Sequence, residues 1–193
     1  ADFTQQLISL RRHRNRIIHS TPNDIRPEAR EIVQIILYST HIILGELSWV
    51  EMRKKSIEKS PFPIQYPWTL HGVSTDLNGE LRDAIELLSP AEVNKYLKLD
   101  KKRRFYRCPD CLLDCYESER DASHYGRGIA QLSNDEPRSQ EIFCIICNQA
   151  FSVIREECNS GSYRGDVLFL TEERELRCLT CGDFREPSEH ILS

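Results

Sequence analysis

All eight cysteines of the chain lie between positions 108 and 181, and none lies in the first 107 residues. Six of them form three pairs: Cys108-Pro-Asp-Cys111, Cys144-Ile-Ile-Cys147 and Cys178-Leu-Thr-Cys181. Cys115 and Cys158 stand alone. Two thiolates separated by two residues can face one ion from a tight turn, and two such turns supply the tetrahedral sulfur set that suits Zn²⁺. Packing of buried thiols does not explain three such pairs in so short a span. A redox Cys-x-x-Cys would need thioredoxin-type βαβ surroundings, which are absent here.

The pattern therefore predicts two structural zinc ions per chain. Cys108, Cys111, Cys144 and Cys147 are assigned to the first. Cys158, Cys178 and Cys181 are assigned to the second, completed by Cys115 or, in its place, His124 or His190. A crossed arrangement of the pairs satisfies the same spacing. Gly182 directly follows Cys181 and suits a turn that requires positive φ. Sites closed by protein ligands are structural rather than catalytic.

The rest of the chain has a different character. Residues 3–19 carry Leu7, Leu10, Arg14, Ile17 and Ile18 at helical spacing, and Pro22 with Asn23 ends the pattern. From Glu28 to about Lys59 the spacing predicts one long helix, with Gly45 as the place where it would kink or weaken. Ala29, Val33, Ile36, Ile43, Leu47 and Val50 would share its buried face, widened by Ile32, Leu37, Leu44 and Trp49. A stripe this wide needs several neighbours to cover it, so self-association as a homodimer is expected. Residues 60–75 carry three prolines and read as an irregular connector, with a short helix at about 77–88. Ser89-Pro90-Ala91-Glu92 is a capping box with proline at the first helical position.

Lys101-Lys102-Arg103-Arg104 marks the expected junction between domains 1–100 and 101–193. Beyond it, Ile142–Ile146, Phe151–Arg155, Val167–Leu170 and Leu176–Cys178 read as short strands. The region 117–140 reads as a long polar loop or insertion. The fold class is thus α+β overall: a mainly α N-terminal bundle followed by a small β-rich module resembling a pair of zinc ribbons.

Charge narrows the partners. The net charge of −4 excludes a globally basic nucleic-acid binder and leaves room for local basic patches. One patch lies within residues 1–20, where Arg11, Arg12, Arg14 and Arg16 face only Asp2. The other is Lys101, Lys102, Arg103 and Arg104, beside Phe105, Tyr106 and Arg107. Cations interleaved with aromatics suit single-stranded RNA; they equally suit the C-terminal end of a helix. The stretch 32–50 contains Gln34, His41 and Glu46, so it lacks the run of about 18 apolar residues that a membrane span needs. With no secretory signal in view, the expected location is cytoplasmic.

The segment Leu10-Arg-Arg-His-Arg14-Asn15-Arg-Ile-Ile-His19-Ser20 resembles the Arg-Asn-x-x-x-His motif of the HEPN superfamily. The resemblance covers roughly residues 3–59. It implies an all-α bundle and a metal-independent endoribonuclease of the kind found in toxin–antitoxin and antiviral defence systems. The cleft would form between two copies, and a regulatory protein partner is compatible with that role. By position, Arg14 is the motif arginine, Asn15 the polar residue after it, and His19 the motif histidine. The chemistry suits those residue types. Imidazole titrates near neutrality and can serve as the base for a ribose 2′-OH. A guanidinium offers paired donors to the charge developing on phosphorus.

Two features depart from the family pattern. Only 13 residues precede Arg14, where the family places more helix. Thr21 stands where the nucleotidylated subgroup has tyrosine, so that modification is not expected. The alternative from another class is a non-catalytic dimeric zinc protein that contacts nucleic acid or a larger complex.

Overall fold

The structure is a computed structural model that describes residues 3–19, 28–45, 48–59, 70–113, 128–133, 139–158, 165–187 and 191. Within those spans the side chains of residues 6, 13, 16–19, 70–76, 112 and 113 are outside the description. The described residues form six helices and two three-stranded antiparallel sheets, an α+β arrangement. They fall into two compact units, Ala1–Ser60 with Gly79–Lys102, and Pro61–Asn78 with Arg103–Ser193.

The first unit is helical. Helix α1 (Phe3–His19) has the bounds its apolar spacing predicts. It packs on α2 (Ala29–Leu44), which also meets α3 (Trp49–Glu58) and α5 (Pro90–Leu97). The predicted single helix over 28–59 is in fact two. Gly45 takes φ 61, in the left-handed region that stops an α-helix. Ser48 then opens α3 with a full capping box, its hydroxyl accepting from the Glu51 N–H while the Glu51 carboxylate accepts from the Ser48 N–H. The axes of α2 and α3 bend by 94°. A straight helix would have left its wide apolar surface uncovered; the bend lets both halves meet α5.

The buried face also differs from the one expected. Leu37 and Val50 are buried as expected, but so are Ile35 and Thr40, whereas Ile36 and Ile43 are 41% and 66% exposed and Ala29 lies open. Neighbouring helices, rather than the width of the stripe, decide which side is inside. The core gathers Ile35, Leu37, Val50, Ile57, Leu81, Leu88, Val93 and Leu97.

Helix α4 (Leu70–Leu87) starts earlier than the short helix predicted at 77–88, so residues 70–75 are helical rather than irregular. Its portion beyond Gly79 belongs to the first unit. Lys101 Nζ donates to the carbonyls of Glu86 and Leu88 at 2.9 and 2.7 Å, closing its C-terminal end. The predicted capping box opens α5, with Pro90 in its first turn. That helix ends at Leu97, followed by Lys98 at φ 56.

The second unit contains short α6 (Pro109–Leu113) and six strands: β1 (Gln131–Leu132), β2 (Glu141–Cys144), β3 (Gln149–Ser152), β4 (Leu168–Leu170), β5 (Leu176–Cys178) and β6 (Phe184–Arg185). The sheets run β1-β2-β3 and β4-β5-β6. Four of the strands lie within or beside the predicted segments. The two-residue β1 and β6 are too short to show alternation in the sequence. Antiparallel bridges Tyr106↔Ala130 and Ile154↔Leu168 knit the unit together. Phe151 of β3 meets Phe169 of β4 edge to face at 6.1 Å. Among the described residues no single helix is long and apolar enough to cross a membrane; α2 and α3 reach that length only as a bent pair.

Candidate metal centres

Each sheet ends in a cysteine turn. Cys144 is the last residue of β2, and Cys147 lies in the turn before β3. Asn148 takes φ 57 to let the chain reverse. In the second sheet Cys178 ends β5, and Gly182 takes φ 88 while its N–H donates to the Cys178 carbonyl at 2.8 Å. Asparagine and glycine are residues that accept positive φ at least cost, and each directly follows the second cysteine of its pair. The third pair is built on a helix start. Cys108 precedes α6, and its Sγ accepts from the Cys111 N–H at 3.4 Å.

These turns bring Cys108, Cys111, Cys144 and Cys147 together, as in the first assignment rather than the crossed one, with all four sulfurs within 4.8 Å of one another. Cys108 and Cys147 lie 3.7 Å apart, and Cys111 and Cys144 3.9 Å apart. A tetrahedral ion with sulfurs at about 2.3 Å requires sulfur–sulfur edges of about 3.8 Å. A disulfide requires about 2.05 Å. The observed spacing fits a shared cation, and the seven described cysteines are free thiols.

Cys158, Cys178 and Cys181 form the second cluster, with 3.6 Å between Cys158 and Cys181. Cys115, His124 and His190, the alternatives for its fourth position, lie outside the described residues. Gly165 is the neighbour that sequence reading missed. Its carbonyl accepts from the Cys158 N–H at 2.7 Å. A Cβ placed on it would sit 2.5 Å from Cys178 Sγ and 2.9 Å from the Thr180 side chain. The backbone approaches the sulfurs so closely that only glycine fits. No spacing rule signals such a contact, because it depends on two segments meeting in space.

Crowded thiols cannot all ionise without a cation. Hydrogen bonds with Cys111, Cys144 and Cys147, together with burial, push Cys108 far up. Hydrogen bonds from Cys108, Cys111 and Cys144 pull Cys147 far down. Burial, then hydrogen bonds with Cys178 and Cys158, push Cys181 up to about 12 against a bond from the Asp183 backbone. A divalent ion reverses this economy of protons by stabilising every thiolate at once. The residues present therefore fit metal ions, and the all-sulfur donor set is compatible with zinc.

The two clusters are joined by backbone. The N–H of Arg107, the residue before Cys108, donates to the carbonyl of Leu179, inside the Cys178–Cys181 turn, at 2.9 Å. Leu179 in turn donates to Val167 at 2.9 Å.

The basic residues divide by role. Lys101 is engaged with the end of α4. Arg103 Nη2 donates to the Leu132 carbonyl at 2.8 Å, and the Arg104 guanidinium lies 5.6 Å from the centre of the Tyr106 ring. Lys102 is exposed. In α1, Arg11, Arg12 and Arg14 are exposed. Arg14 directs Nη2 and Nε to Oδ1 of its chain neighbour Asn15 at 3.0 and 3.3 Å. His19 is the last residue of α1; its side chain and that of Arg16 lie outside the description.

No family model, no curated protein and no solved structure matches this chain.

Proposed function

We propose that the second unit is a pair of zinc ribbons and that the first is a HEPN-type module that cleaves RNA. The observation that carries the zinc half is the Cys108–Cys111–Cys144–Cys147 cluster, whose sulfurs stand at the edge lengths of a tetrahedral thiolate site. The catalytic half rests on the Arg14-Asn15…His19 motif and its resemblance. In that reading His19 removes the 2′-OH proton and later protonates the 5′ leaving oxygen. Arg14, turned from Asn15 to the phosphate, offsets the charge gained in the transition state. The products are a 2′,3′-cyclic phosphate and a 5′-OH. Zinc holds the ribbons and takes no part in the bond making. RNA recognition would fall to Arg11, Arg12, Arg14 and Arg16 on α1, in a cytoplasmic defence or toxin-like role with a regulatory partner.

Purified protein should carry close to two zinc ions per chain by elemental analysis; a value near zero overturns the zinc assignment. RNA should be cut in EDTA over times too short for zinc loss, and DNA should resist because it lacks the attacking hydroxyl. His19→Ala should slow cleavage by roughly 10²–10⁴-fold. Equal rates for variant and parent would reject the mechanism.

A second reading is compatible with the exposed apolar residues of α2. Ile36, Ile42 and Ile43 are 41%, 49% and 66% exposed, which suits a non-catalytic dimeric scaffold as well as a paired cleft. Light scattering that finds a monomer at all dilutions would remove both the scaffold and the paired cleft.

A further inference from the structure

Phe184 is 51% exposed and is the only aromatic residue among the exposed large hydrophobics of the described chain. Its position in the β4-β5-β6 sheet is defined. Phe169 pairs with Arg177, and Arg177 pairs with Phe184, so the three form one cross-strand row on one face. Arg177 is only 2% exposed, and its guanidinium lies 4.7 Å from the centre of the Phe184 ring. The ring is thus backed from within by a buried cation and open on its outer side.

The surroundings choose the kind of partner. Across residues 165–187 the exposed charged side chains are Glu172, Glu173, Glu175, Asp183 and Glu186 against Arg174 alone. Arg185 is engaged with Glu156, and Arg155 with Asp166. Leu176 pairs with Arg185 at the end of the ladder, and strand alternation carried one residue further would turn Glu175 and Glu186, both exposed, to the Phe184 side of the sheet. Phosphate contacts dominate nucleic-acid affinity, so a surface of this sign repels that class of ligand. An aromatic face with flanking carboxylates instead attracts ammonium or guanidinium groups.

We propose that the open face of Phe184, flanked by Glu175 and Glu186, receives a lysine or arginine side chain from a basic segment of a partner protein. The charge of the surface carries this choice of occupant. The inference rests on the folded β4-β5-β6 sheet and is independent of whether the first unit cleaves RNA.

The test uses the whole 193-residue chain, purified without chelator, and a fluorescein-labelled hexa-arginine peptide, followed by anisotropy at low salt. Hexaglutamate and a decauridylate RNA serve as comparison probes. Phe184→Ala should weaken hexa-arginine binding about two- to fivefold, the loss expected for an exposed cation–π contact. Phe184→Leu keeps apolar bulk without the ring and should weaken it similarly, whereas Phe184→Trp should retain it. The Glu175→Gln/Glu186→Gln pair should weaken binding and flatten its salt dependence. Metal content and circular dichroism should remain those of the parent in each variant. Binding that Phe184→Ala leaves unchanged overturns the proposal. So does RNA binding that the same substitution weakens, which would assign this surface to nucleic acid.

Discussion

The helical unit and the sheet unit solve the same problem by different means. In the first, Leu81, Leu88 and Val93 are at most 2% exposed, and helices α2, α3 and α5 share one apolar interior. In the second, strands of two to four residues surround two groups of cysteines. Sheets so small bury little apolar area, and in such modules metal binding takes over much of the work of a core. The difference teaches that stability here is separable. One unit should respond to side-chain volume and the other to metal.

The largest expected effect follows from that contrast. Removing metal with a chelator should unfold the region beyond Arg103, because binding free energies of order 10 kcal/mol are tied to folding in such modules. The helical circular-dichroism signal should largely survive, while limited proteolysis should cut the cysteine-rich region. Simultaneous loss of both units would break the comparison. Leu81→Ala probes the opposite side. It should cost about 2–5 kcal/mol, lower the melting temperature of the helical unit and leave metal content unchanged.

Gly165→Ala sharpens the distinction within the second unit. A methyl directed at Cys178 Sγ should impair the Cys158–Cys178–Cys181 cluster directly and weaken the other only through the backbone that joins them, so metal per chain should fall by at least one ion in elemental analysis. The smallest effect concerns α5. The Ser89 hydroxyl, against some cost of burial, holds the Glu92 carboxyl below its ordinary value of 4.5. The charged cap therefore contributes in full above that value and is lost as pH falls through the lower folded-state value. Ser89→Ala should cost about 1 kcal/mol at neutral pH, and less in strong acid, by thermal melts of the helical unit.

Local signals were legible where one residue type carries the physics by itself. Ser89 and Glu92 announce α5, and paired cysteines announce metal clusters, while the choice of which pairs share a cluster depends on how the turns meet in space. The same Ser-x-x-Glu signature stands at Ser48 and Glu51, but apolar residues continue across the break and suggest one uninterrupted helix. The start of α4 was hidden by the neighbouring prolines and by Gly72, Val73 and Thr75, all of low helix propensity. The outward orientation of Ile36 and Ile43 depends on which helices arrive on the other side. Gly165 is illegible for the same reason: nothing near it in the chain shows that a sulfur will press against it.

The hydrogen bond from Arg107 to Leu179 carries a consequence for how metal is taken up. The approach to one cysteine cluster is anchored inside the turn of the other, so ordering either turn lowers the entropy cost of ordering its neighbour. Ions should then bind with positive cooperativity. Given half the metal it can hold, the protein should separate into fully charged and empty molecules, with few carrying a single ion. Such a population would behave as a threshold device, sharpening a gradual change in metal supply into an abrupt change in the number of chains whose second unit is folded.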